Sequence, residues 1–290
     1  PQIYYPEIRV DSQFLQADGL TLYYTNAMSV SQLVEITGIS IDSVSRPVRV
    51  EFSLAFGEKP ADDTAFLDGR WSSAQPPLYG YHVDPGETSS GQIVATVHDA
   101  AGNTTSQSFA YQPDGTPPQS MTDAPAYATG TPIFVDYEAT DTQSGVGTVQ
   151  LYYRHAQSAG WQPAPAPGGL REGASATFWF LPPHGDGLYE FASRARDLLG
   201  NLETGAFVAE SSTIYDTTQP SSSVTWAPEF RRGDTITGTW EAIRSQAPIT
   251  TVDLWVRPVN GVDPNAWSLA KVVGTGGATS GQFSYTVIRD

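Results

Sequence analysis

The sequence predicts an all-β chain of tandem antiparallel β-sandwiches, and three observations predict it. The first is a repeated strand-and-turn. Gly91-Gln-Ile-Val-Ala-Thr-Val-His-Asp99-Ala-Ala-Gly102-Asn103 is matched by Tyr189-Glu-Phe-Ala-Ser-Arg-Ala-Arg-Asp197-Leu-Leu-Gly200-Asn201, with the two Asn residues 98 apart (201 − 103). Side chains alternate with period 2 up to the Asp, the mark of a half-buried strand, and Gly-Asn then tolerates the positive φ of a tight turn. The second is a repeated Pro-rich joint, Asp114-Gly-Thr-Pro117-Pro118 and Asp216-Thr-Thr-Gln-Pro220, with its Asp residues 102 apart (216 − 114). Proline stiffens a connector and cannot enter a central strand. The third is composition: Gly 27 and Pro 22 with only 16% charged residues suit short strands and turns, and no stretch of ten or more residues carries a helical period.

Taken in order, the elements fall into three modules, 1–115, 116–218 and 219–290, each long enough to bury a core of its own. In the first, Leu33–Ile39 and Pro47–Leu54 read as strands, followed by Trp71. In the second, Ile133–Ala139, Gly145–Arg154 and Thr177–Leu181 precede the strand that ends at Asp197. In the third, Ile236–Ala242, Pro248–Arg257 and Gln282–Thr286 match those three. A third Asp-x-x-Gly-Asn turn would fall near residue 299 (201 + 98), past Asp290, so the third sandwich is expected to be incomplete within this chain. Ile3-Tyr4-Tyr5 matches Ile214-Tyr215-Asp216 and is expected to be the tail of a preceding module. Together with a start at Pro1, this reads as a piece of a longer polypeptide, its open third module completed by unseen residues or by a strand from another chain.

Gly187-Leu-Tyr189-Glu-Phe191, Ala195-Arg-Asp197, Gly200-Asn201 and the Asp216-Thr-Thr-Gln-Pro220 joint, with Ser144-Gly145-Val146 ahead of Val149-Gln-Leu151, resemble tandem bacterial immunoglobulin-like repeats of secreted and cell-surface proteins. The resemblance implies seven-stranded immunoglobulin-like sandwiches and an extracellular or cell-surface setting. It implies no catalytic residue and no shared activity, because such sandwiches carry many roles.

Cysteine is absent, which removes disulfides, thiolate metal sites and a cysteine nucleophile. A net charge of −16 repels nucleic acid and anionic lipid, and no apolar run reaches the ~18 residues of a membrane span. The four histidines, His82, His98, His155 and His184, show no metal-binding spacing, and no nucleophile elbow or phosphate loop is present. No cofactor is expected, with calcium as the one candidate. Its proposed ligands are Asp99, Asp141 and Asp197, oxygen donors at strand ends and loops; the same residues also suit plain turn capping. Arg232-Gly233-Asp234 and the Asn103-Thr-Thr105 sequon both fall on turns that the repeat already explains. Trp71, Trp161, Trp226, Trp240, Trp255 and Trp267 are read chiefly as core anchors. Trp179 and Trp255 sit between inward-pointing neighbours, so they are expected to face outward, where they could bind a glycan or a protein.

These features predict a non-catalytic structural segment, a stalk or a filament or surface-layer component. Its expected partners are other copies of itself or other surface proteins, and possible glycans, with no nucleic acid and no membrane insertion. The alternative is an adhesin or carbohydrate-binding accessory region of a large secreted protein such as a hydrolase.

Overall fold

The computed structural model describes residues 1–10, 13–14, 20–24, 32–53, 70–72, 81–83, 90–226, 233–244, 246–257 and 267–287. Leu54 and Arg232 lie outside the described residues. All regular structure among the described residues is β, in tandem sandwiches.

The second unit shows the architecture most fully. Its strands are β10 (Gln119–Asp123), β11 (Tyr127–Ala128), β12 (Ile133–Thr140), β13 (Val146–His155), β14 (Gln162–Pro163), β15 (Leu170–Glu172), β16 (Ser175–Phe180), β17 (Gly187–Asp197) and β18 (Ser211–Tyr215). One sheet has the order β10-β12-β16, the other β11-β18-β17-β13-β14 with β15 also on β13. The β11–β18 pair is parallel and the remaining pairs in this unit are antiparallel. The first strand is thus shared between sheets, β10 on one and β11 on the other. With β12 and β16 facing β13, β17 and β18, this is the immunoglobulin-like sandwich.

The first unit repeats that plan with β1 (Gln2–Val10), β2 (Gln13–Phe14), β3 (Thr21–Tyr24), β4 (Gln32–Ile41), β5 (Pro47–Phe52), β6 (Arg70–Ser72), β7 (Tyr81–Val83), β8 (Gly91–Asp99) and β9 (Thr104–Pro113). Its sheets are β2-β1-β4-β6, with β7 also on β4, and β3-β9-β8-β5. The third unit has β19 (Ser221–Trp226), β20 (Thr235–Ile243), β21 (Thr251–Val256), β22 (Ser268–Gly274) and β23 (Ser280–Thr286), in sheets β19-β20-β23 and β21-β22. Counterparts of β17 and β18 are absent from its described residues.

The alternation in the sequence produces the burial. Along β12, Ile133, Val135, Tyr137 and Ala139 are buried while Phe134, Asp136, Glu138 and Thr140 are exposed. The second core gathers these with Val149, Leu151, Phe178, Phe180, Tyr189, Phe191 and Ala195. Phe180 meets Phe191 edge-on, ring centres 5.1 Å apart and planes at 82°, the favourable quadrupole arrangement. The buried Tyr189 hydroxyl donates to the Gly185 carbonyl and accepts from the His184 amide, both at 3.0 Å, so its burial leaves no orphan polar group. The first core is separate and holds Leu22, Ile36, Phe52, Trp71, Ile93 and Phe109 among others. The third holds Trp240, Ala242, Ile249 and Phe283. Here Gly238 pairs with Phe283 and Gly281 with Trp240 across β20 and β23, so each ring lies over the opposite glycine, where a Cβ would collide with it.

Two expectations are corrected. Ile3-Tyr4-Tyr5 is not the tail of a preceding module: it lies in β1, paired antiparallel with β4 as Ile3↔Ser40 and Tyr4↔Ile39. The likeness to Ile214-Tyr215 was of composition only, since any strand of alternating aromatic and β-branched residues would match it. Nor are the tryptophans uniformly core anchors. Trp71 and Trp240 are buried, but Trp226 and Trp267 are 44% and 52% exposed, because they stand on outward-facing strand positions or at strand ends.

Candidate functional site

The strand-ending aspartates are held by one local device. Asp99 Oδ1 accepts from the amides of Ala101 (2.9 Å) and Asn103 (2.7 Å), and its Oδ2 accepts from Asn103 Nδ2 (2.8 Å) and Ser45 Oγ (2.7 Å). Asp197 repeats this with Leu199 N, Asn201 N and Asn201 Nδ2 at 2.9, 2.8 and 2.7 Å. Gly102 and Gly200 supply the positive φ, 89° and 96°, that the loop needs to return its amides to the carboxylate. The Asn103 side chain, then the Ser45 hydroxyl, stabilise the ionised Asp99 and hold its carboxyl down at about 2.

Of the three predicted calcium ligands, Asp141 and Asp197 come together and Asp99 does not. The third member of the cluster is Asp114, and one carboxylate oxygen from each lies within 4.8 Å of the others. Asp114 and Asp197 are buried and Asp141 is half-buried. Asp114 opens the first joint. Its Oδ1 accepts from Thr116 N and its Oδ2 from Ser144 N, both at 3.0 Å. Asp141, in the loop between β12 and β13, accepts from Gln143 N (2.9 Å) and Gly145 N (2.8 Å) through Oδ1. Sequence reasoning missed Asp114, although its recurrence as Asp216 in the second joint marked it. Asp99 sits at the corresponding place in the first unit, on the far side of β9 in sequence from the joint.

The alternation argument did find the outward aromatics. Trp179 is 56% exposed between the buried Phe178 and Phe180, and Trp255 is 49% exposed. Trp179 pairs across strands with Phe134, also 56% exposed, and the Arg171 guanidinium lies 4.8 Å from its ring centre. A second aromatic group was not foreseen. On the outer face of β13, Phe207 tilts against Tyr152 and stacks on Trp161, with ring centres 4.6 and 5.7 Å away. Arg194 lies over Phe207 and Arg154 over Trp161 at 4.2 and 5.0 Å. Nothing in the alternation marks Phe207, which comes from the irregular stretch between Asn201 and β18.

At the second joint a cleft of about 500 Å3 is lined by Arg154, His155, Asp186, Leu188, Glu190 and Gln246. Arg154 and Glu190 neutralise each other at 2.7 Å. His155 stacks on His184 at 5.3 Å; burial and then the His184 charge push its pKa down. Among the described residues no nucleophile is aligned with a base there, and the acidic groups are engaged: Asp186 accepts from Thr217 and Thr218.

No protein-family profile matches the chain, and no curated protein matches it. Solved structures similar to it include a tetra-tandem repeat from the extending region of a large adhesion protein, at 17% identity and a TM-score of 0.30, covering 98% of this chain and 66% of that one. Fibronectin(III)-like modules of Clostridium thermocellum CbhA are similar at 15% identity and a TM-score of 0.30, covering 72% and 93%. The human Desmocollin-1 ectodomain is similar at 13% identity and a TM-score of 0.21, covering 66% and 35%. The chain thus spans just under two thirds of the adhesion-protein structure's length.

Proposed function

We propose that the chain is a non-catalytic spacer, a stretch of extracellular or cell-surface stalk or filament built from immunoglobulin-like modules at 1–115, 116–218 and 219–290. One observation carries this reading: each connector is hydrogen-bonded into the unit it enters. At the first joint Asp114 accepts from Ser144 N, and Asn201 Nδ2 donates to the Asp114 carbonyl at 3.0 Å. Gln143 Nε2 donates to the Pro113 carbonyl at 2.7 Å. At the second joint Asp216 Oδ2 accepts from Gln246 N and Ala247 N at 2.9 and 2.7 Å. Prolines follow both aspartates. A connector anchored in this way resists bending, which a spacer needs and an isolated binding domain does not. The partners of such a segment are further copies of itself or neighbouring surface proteins. Small-angle scattering in solution tests it: the expected profile is an extended rod of three bodies, and a compact globule overturns it.

The exposed Phe134–Trp179 pair favours a second reading, in which the same segment holds a glycan. Flat exposed rings stack on sugar faces, and Asp136, on the same face of β12, offers a hydrogen-bonding group beside them. Binding on a glycan array that Trp179→Ala abolishes supports this, and an array without binding removes it.

A further inference from the structure

We infer that Asp114, Asp141 and Asp197 form a calcium site that clamps the first joint to the second unit. The site stands independently of the spacer reading. Two buried oxygens, one in the cluster itself and one on a residue bonded to it, point to a ligand. Asp141 Oδ2 is fully buried and has no hydrogen-bond partner among the described residues. So is Ser144 Oγ, on a residue only 5% exposed, whose own amide is bonded to Asp114 Oδ2. In the first unit the corresponding hydroxyl, Ser45 Oγ, donates to Asp99 at 2.7 Å. The same hydroxyl in the second unit is left over beside the carboxylates, an oxygen free to ligate.

The charge balance points the same way. Three carboxylates gather within 4.8 Å, and no salt bridge to any of them is present among the described residues. Like charges this close are strongly unfavourable when water is excluded, unless a cation joins them. The donors are all hard oxygens, which select calcium or magnesium over softer metals. Oxygens all within 4.8 Å of one another can share one calcium ion, whose bonds are about 2.3–2.6 Å.

The second joint provides an internal contrast. There Asp216 occupies the place of Asp114, but Arg244 occupies the place of Asp141 in the aligned loop. By alignment, a basic residue thus replaces the aspartate whose Oδ2 has no partner at the first joint. The described residues of the third unit supply no counterpart of Asp197 either, so the three-carboxylate cluster occurs among them at the first joint alone.

The test uses the 290-residue chain stripped of divalent ions and titrated with calcium chloride by calorimetry. The expected result is saturable binding with a dissociation constant of roughly 1 mM or tighter, within the range of extracellular calcium modules. Asp141→Asn keeps an oxygen for the Gln143 and Gly145 amides and removes one ligand charge. It should weaken binding about tenfold or more while leaving the melting temperature in chelator unchanged or raised, whereas Asp99→Asn should bind as the native chain does. Native-chain hydrogen exchange provides a readout that needs no variant: calcium should slow the Ser144 and Thr116 amides. Absence of saturable binding, equal binding by Asp141→Asn, or amides indifferent to calcium overturns the site.

Discussion

Asp99 and Asp197 show how much a single carboxylate does at the end of a strand. Each gathers the amides of a turn that would otherwise leave them unpaired, and each is answered by the side chain of its own Gly-Asn partner. At Asp99 it also sets the acid behaviour. The folded Asp99 carboxyl lies at about 2, below its unfolded value of about 3.9. A depressed folded value contributes stability that is fully present above pH ~3.9 and is lost as the pH falls through about 2. Asn103→Ala removes the largest cause of the depression. The first unit of that variant should be less stable than native at pH 6, and its stability should fall less steeply on acidification from about pH 4 to 2, the two proteins converging at the acid end. Denaturant midpoints followed by Trp71 emission over that pH range would show it; parallel acid profiles would contradict it.

At the scale of the element, alternation made most strands legible and irregularity hid the rest. Trp179 could be placed outward because Phe178 and Phe180 on either side of it had to point inward. The Asp197 turn could be placed because its partners lie within four residues of it. What the sequence concealed depends on contacts between distant positions. In the first unit β9 pairs with β8 along most of its length. In the second unit the edge of β17 away from β13 pairs with β18 over Gly187–Phe191 and meets Leu202 in an isolated bridge at Arg196, and two glutamates span the stretch between. Glu203 accepts from Ala195 N, Ser120 N and Ser120 Oγ; Glu210 accepts from Ser193 N, Ser193 Oγ and Thr122 N. Side-chain oxygens thus stand in for ladder carbonyls and tie β10 of one sheet to β17 of the other. Burial pushes the Glu210 carboxyl upward, the cost of placing an ionisable group in that role. The residues between them bulge outward and carry Phe207 to Trp161. Asp114 was hidden for the same reason: its approach to Asp197 depends on the path of the joint, not on any local pattern.

For the whole molecule the decisive fact is that the three buried clusters share no residue. What joins the first unit to the second, besides the chain itself, includes the hydrogen bonds of Pro113 and Asp114 to Gln143, Ser144 and Asn201, each worth about 1 kcal/mol net. Losing a fully buried phenylalanine costs more, about 3–5 kcal/mol. Phe191 is such a residue, in the second core alone. Phe191→Ala should therefore unfold the second unit early while leaving the others standing, because sites without shared partners act additively. Hydrogen exchange in mild denaturant distinguishes the outcomes. Protection of β17 should collapse, while β8 in the first unit and β20 in the third keep their native rates. If all three strands lose protection together, the chain is one cooperative body and the divisions at 115 and 218 are wrong. A spacer has reason to be built the first way, since a unit that unfolds under load then leaves its neighbours intact.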